Sequence, residues 1–163
     1  MRHLSLLVIA TLLLSACGFH LRGAGALGDS INNVYVSSDN IHAPLSRTLR
    51  DRLKSHKVAL LDTPEEQATI LYLHPEKMDR SLLSLFSTGQ VAEYELNYQV
   101  TFEVKLPGQE ARLYSFDLSR EYQDDPNAVL AKSREMNLIL DEMRKQAADR
   151  IIRQLGQLSQ TPL

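Results

Sequence analysis

No tryptophan and a single cysteine, Cys17, occur in the 163 residues. One thiol cannot form an internal disulfide, so a cross-linked scaffold is excluded; the thiol is free, joined to another chain or chemically modified. Neither sign of charge dominates. Lys and Arg total 18 against 20 Asp and Glu, a net charge of −2, and the basic footprint of a nucleic-acid-binding protein is missing. No apolar run is long enough for a comfortable membrane span. The longest, residues 4–14, is interrupted by Ser5 and Thr11, and as a helix it rises about 16 Å against a hydrocarbon core of about 30 Å. A G-x-S-x-G elbow, an H-E-x-x-H pair and a P-loop are all lacking. His20, His42, His56 and His74 are scattered without metal-ligand spacing. What is present is 44% hydrophobic and 23% charged residues, the balance of a chain that folds around one core.

Residues 1–17 divide into three zones. Arg2 and His3 form a short basic head, residues 4–14 an apolar centre, and Leu14-Ser15-Ala16-Cys17 a close of small residues. That centre has the length of a signal-peptide core. Leu-Ser-Ala-Cys matches the lipobox of bacterial lipoprotein precursors and accounts for the lone cysteine. The expectation is removal of residues 1–16, a diacylglycerol on the Cys17 thiol and an acyl chain on the new amino group, with no other cofactor. Each buried CH₂ contributes ~0.8 kcal/mol, so more than one acyl chain holds the protein stably at a membrane. Gly18 follows the cysteine, where Asp would retain a lipoprotein in the inner membrane of enteric bacteria, and so resembles outer-membrane sorting. Gly23, Gly25 and Gly28 spell G-x-G-x-x-G. No apolar strand precedes them and Asp29-Ser30 rather than a helix follows, so residues 17–30 read as a lipidated start and flexible tether, not a dinucleotide loop.

The remainder, residues 31–158, reads as a single α+β domain, with 159–163 a short tail. Residues 31–37 are a strand candidate. Pro44 suits the first position of a helix, and Leu45, Leu49 and Leu53 then recur every four residues among Arg47, Arg50, Arg52 and Lys54, predicting an amphipathic helix over 44–57. Residues 58–62 form a short apolar run broken by Pro64, and 68–74 read as a strand. The pattern weakens over 75–81. Across 93–106, Tyr94, Leu96, Tyr98, Val100, Phe102, Val104 and Leu106 alternate with Glu93, Glu95, Asn97, Gln99, Thr101, Glu103 and Lys105, a long strand with one buried and one wet face. Pro107-Gly108 turns the chain, and Tyr114, Phe116, Leu118 and Tyr122 complete a hairpin. Asp125 as cap and Pro126 as first residue open a last helix, predicted over 126–158. The order β-α-β-β-β-α predicts a mostly antiparallel four-stranded sheet with two helices packed on one face.

Binding rather than catalysis is what these residues support. Asp124 and Asp125 suit a helix N-terminus better than acid–base work. Leu82, Leu83, Leu85 and Phe86 cluster before the Thr88-Gly89 turn; either they form a contact surface or alternate members face the core. Lys77, Arg80, Lys132 and Arg134 could meet phosphates of an anionic glycolipid, or be solvated surface charge.

Several stretches together resemble the LptE family of LPS-assembly lipoproteins. These are Cys17-Gly18-Phe19-His20-Leu21-Arg22, Pro44-Leu45-Ser46-Arg47, Phe86 with Gly89-Gln90-Val91-Ala92-Glu93-Tyr94, Asp125-Pro126 and Leu130-Ala131-Lys132. The resemblance spans the mature chain and implies a non-enzymatic outer-membrane lipoprotein. Such a protein sits in the lumen of the barrel LptD, helps that barrel assemble and binds lipopolysaccharide on its way to the outer leaflet. It implies glycolipid contact at Lys132 and entry of the hairpin tip, with Leu82, Leu85 and Phe86, into the barrel. Enteric relatives carry Arg beside Phe86 where this chain has Ser87, so either another basic residue such as Arg80 substitutes or Lys132 contributes less. The alternative function is a periplasmic scaffold acting by protein–protein contact without binding lipopolysaccharide.

Overall fold

The computed structural model describes residues 31–125 and 127–160. Cys17, the expected site of lipid, the export segment and the glycine string all lie outside the described residues. Six strands and two helices follow in the order β1 (Asn33–Ser38), α1 (Pro44–Ser55), β2 (Ala59–Leu60), β3 (Thr69–Leu73), β4 (Lys77–Leu85), β5 (Val91–Lys105), β6 (Arg112–Gln123) and α2 (Val129–Gln160).

The fold class is α+β with two helices, as expected, but the sheet is mixed and has six strands rather than four. β5 pairs antiparallel with β3, β4 and β6, which is the part the alternation announces. β1 runs parallel to both β2 and β3. Two elements escape the periodicity for different reasons. β2 is two residues long, too short to show a period. β4 shows no buried alternation because nearly all its side chains are exposed on both faces. It forms because the Gly89 turn folds it back along β5, with Phe86 and Gln90 closing the tip through the Phe86 N–H to Gln90 carbonyl bond of 2.8 Å. Gly89 takes φ +83, a left-handed value natural to glycine.

The strand register puts Val34, Val36, Leu71, Val104, Phe102, Val100, Tyr98, Leu96 and Phe116 on one face, and all are buried. Both helices lie on that face. Leu45, Leu49 and Leu53 of α1 and Met143, Ala147, Ala148, Ile151, Ile152 and Leu155 of α2 join the same core. Burying each of these Leu, Ile and Met side chains contributes about 1.5–3 kcal/mol. Phe102 stacks on Tyr114 at 5.4 Å and meets Phe116 edge-on at 6.2 Å. The opposite face carries the polar alternates of β5, and its hydroxyls and carboxylates bond one another, as in Ser84 to Glu93 at 2.7 Å.

α1 begins at Pro44, as predicted, and its basic last turn faces the negative helix end. It stops two residues before the predicted 57, where Lys57 takes φ +62 and the Val58 N–H reaches back to the Leu53 carbonyl. This is the C-terminal position where glycine is preferred. Lys57→Gly is expected to raise stability by about 0.5–1 kcal/mol, read as a Tm higher by a few degrees; an unchanged or lower Tm would contradict the strain. α2 starts at Val129, later than the predicted 126. Asp125 does act as a cap, but on a preceding turn: its carboxylate accepts from the Asn127 N–H at 2.9 Å, and its carbonyl from the Ala128 N–H at 3.0 Å. The helix ends at Gln160, two residues past the predicted end.

Candidate functional site

The buried stripe of α2 belongs to its second half. Toward the N-terminus Met136, Ile139 and Leu140 are half-buried, and Val129, Leu130 and Leu138 are exposed. The sheet, meanwhile, continues past the packed core, because β4, β5 and β6 extend to Leu85, Val91 and Gln123. Between the two lies a cleft of about 430 Å³, lined by Arg80, Tyr94 and Tyr122 from the sheet, Asp124 and Asp125 from the connection, and Val129, Lys132, Ser133 and Met136 from α2.

Arg80 is the best-held side chain in it. Tyr94 and Tyr122 are directly paired across β5 and β6, which places both on the helix-facing side, and their rings stack at 5.6 Å. The Arg80 guanidinium lies over the Tyr94 ring, 4.1 Å from its centroid, and donates to the Tyr122 hydroxyl at 3.2 Å. That hydrogen bond, with smaller help from the tyrosines' and Asp124's electrostatics, holds the guanidinium above the ordinary arginine range. Arg80 therefore stays charged at any physiological pH. Stacking and one hydroxyl use a small part of its five-donor fork. Lys132 enters from the other wall, 21% exposed, with its ammonium 2.8 Å from the Glu135 carboxylate one turn along α2. Two cations and two lining aspartates make the cleft electrically mixed, so any anion would be held by directed donors rather than by net potential.

The structure thus brings together Arg80 and Lys132, fifty-two positions apart, and separates the rest of the basic set. Lys77 pairs with Gln99 on the polar sheet face, and Arg134 is exposed on α2; neither lines the cleft. The open question about the hairpin resolves toward exposure. Leu82, Leu83, Leu85 and Phe86 are 45–54% exposed, with a register irregularity between Leu82 and Ser84. Sequence reading missed Tyr94, Tyr122 and Met136 as cleft residues. The tyrosines carried a signal, since they share strand parity with the core face, but periodicity alone does not reveal that a cleft opens beside them and leaves Tyr94 partly uncovered.

A second polar cluster lies at the break between β3 and β4. Glu76 accepts from the backbone N–H of Leu45 in the first turn of α1 at 2.9 Å, from the Tyr98 hydroxyl at 2.9 Å and from Arg144 Nε at 3.1 Å. Burial first, then the Glu76 carboxylate, pushes the Tyr98 phenol well above the ordinary tyrosine range. Among the described residues no group of His, Cys, Asp and Glu could hold a metal ion, and no helix is long and apolar enough to cross a membrane.

These features define a small α+β binding domain in which the cleft between α2 and the sheet mixes cations with apolar walls. Residues 31–155 match the family model LptE, described as lipopolysaccharide-assembly. The LPS-assembly lipoprotein LptE of Photorhabdus laumondii is 33% identical over 158 residues, covering 95% of this chain and 87% of that protein. That of Yersinia enterocolitica is 31% identical over 159 residues, covering 95% and 77%. Among solved structures, the rare lipoprotein B of Shewanella oneidensis superposes with a TM-score of 0.73 at 42% identity, over 78% of this chain and 96% of that one. The chain belongs to the LptE family of LPS-assembly lipoproteins. It is accordingly a non-enzymatic lipoprotein of the Gram-negative envelope.

Proposed function

We propose that this lipoprotein is anchored at the inner surface of the outer membrane by lipid on Cys17, plugs the lumen of the LptD barrel and helps it assemble, and binds lipopolysaccharide during delivery to the outer leaflet. The observation that carries the glycolipid step is the meeting of Arg80 and Lys132 in one cleft beside apolar surface. Lipopolysaccharide combines phosphates with acyl chains. A site for it needs directed N–H donors next to exposed apolar groups, and here Val129 and Met136 line the same cleft. The exposed hairpin residues Leu82, Leu85 and Phe86 supply a rim of the kind that becomes covered on docking into a partner.

A mild-detergent pull-down of the tagged lipoprotein from outer membranes, with partners identified by mass spectrometry, tests the barrel step. LptD is expected in near-equal amount, with the hairpin tip of residues 82–88 protected from protease. A different partner, or none, would overturn the plug reading.

A further inference from the structure

The two cations of the cleft are held differently, and that difference has a functional consequence. Among the described residues Arg80 makes no direct ion pair; aromatic rings and a neutral hydroxyl hold it in place, and Asp124 acts on it only as a smaller electrostatic contribution. Lys132, which also lines the cleft, instead spends its ammonium on Glu135 at 2.8 Å, three residues along the same helix. An ammonium paired to its own helix must exchange that carboxylate for a ligand phosphate, and the displaced carboxylate then stands as a like charge beside the phosphate. We propose that Glu135 masks Lys132, so that the cleft offers one permanently presented cation, Arg80, and one that a glycolipid phosphate must win from Glu135, which thereby sets the affinity and eases release. The proposal rests on the glycolipid reading of the cleft. Glu135 is itself about half exposed and outside the cleft lining, so its removal leaves the core untouched. Weak holding suits a protein that passes its ligand onward rather than storing it.

The test compares wild type, Glu135→Gln, Lys132→Ala and the double variant as full mature lipoproteins in mild detergent, titrated with bisphosphorylated lipid A, its dephosphorylated counterpart and inorganic phosphate. Glu135→Gln is expected to bind bisphosphorylated lipid A about three- to tenfold more tightly than wild type, since one exposed ion pair and one close like charge are removed together. The gain should shrink as salt rises. It should vanish in the Lys132→Ala background and be absent with dephosphorylated lipid. Unchanged affinity, or a gain that survives without Lys132 or without phosphate, would overturn the masking while leaving the glycolipid reading intact. Failure of the wild-type chain to bind lipid A in any form would remove the reading and the masking together. Competition by inorganic phosphate at physiological concentration would mark a free-anion site and overturn the glycolipid assignment.

Discussion

Replacing Glu76 with alanine is expected to lower the unfolding free energy by about 3 kcal/mol, with a fall in Tm of roughly 10 °C for a domain of this size. The carboxylate is 16% exposed and Arg144 18%, so neither is freely solvated. One oxygen receives the Leu45 N–H, an otherwise orphaned donor in the first turn of a helix that has no side-chain cap of its own. The other receives Tyr98, which is fully buried, and Arg144. Glu76 thus ties α1, β5 and α2 at one point. Alanine leaves three donors without this acceptor, one of them the Arg144 guanidinium, which keeps only its bond to Asp141 at 3.2 Å, and each orphan costs on the order of 1 kcal/mol or more. Glu76→Gln should fall between wild type and alanine, because an amide keeps one acceptor but turns a donor toward the others. Thermal and denaturant unfolding measure both; a loss under about 1 kcal/mol for alanine would mean that water replaces the carboxylate. The hub also predicts an alkaline limb. The folded-state pKa of Tyr98 is raised, so its contribution is fully present below the unfolded tyrosine value of about 10 and is lost as pH rises beyond it.

Reversing the charge at both Arg80 and Lys132 should weaken binding of phosphorylated lipid A by at least about a hundredfold, with the fold and barrel association retained. Charge-assisted hydrogen bonds contribute about 1.5–3 kcal/mol each, and every 1.4 kcal/mol is about tenfold. Two lost contacts, each replaced by repulsion, account for the expected size. Arg80→Glu gives up its place on Tyr94 and Tyr122, and Lys132→Glu sets two like charges three residues apart on α2, so a stability loss of about 1 kcal/mol is expected. Binding is read with purified protein and lipid A, and barrel association by pull-down of the same variants. Retained glycolipid affinity in the double variant would place the glycolipid site outside this cleft.

Much of this was legible from residue order. Strict alternation from Tyr94 to Leu106 marked β5 because a strand with one buried and one wet face must alternate, and the three leucines of α1 fell at a spacing that stacks them on one helix face. Pro44 marked a start to within a residue. The limits of α2 were less sharp, because Asp125 caps a turn that precedes the helix, and a cap signal does not say how many residues later regular hydrogen bonding begins. β4 was invisible as a strand for the opposite reason: with both faces exposed, no selection for alternation is written into it.

By itself, then, the sequence determined the α+β class, the long central strand, both helices and the lack of a catalytic constellation, and it nominated Arg80 and Lys132 as separate candidates. These are local properties, carried by spacing and by residue type. The tertiary structure alone decided that β1 pairs in parallel, that the four hairpin apolar residues face outward, and that Arg80 and Lys132 share a cleft in which one is held by tyrosines and the other by Glu135. Each of those facts depends on which distant segments become neighbours, and that is set by the register along β5 and by where α2 parts from the sheet.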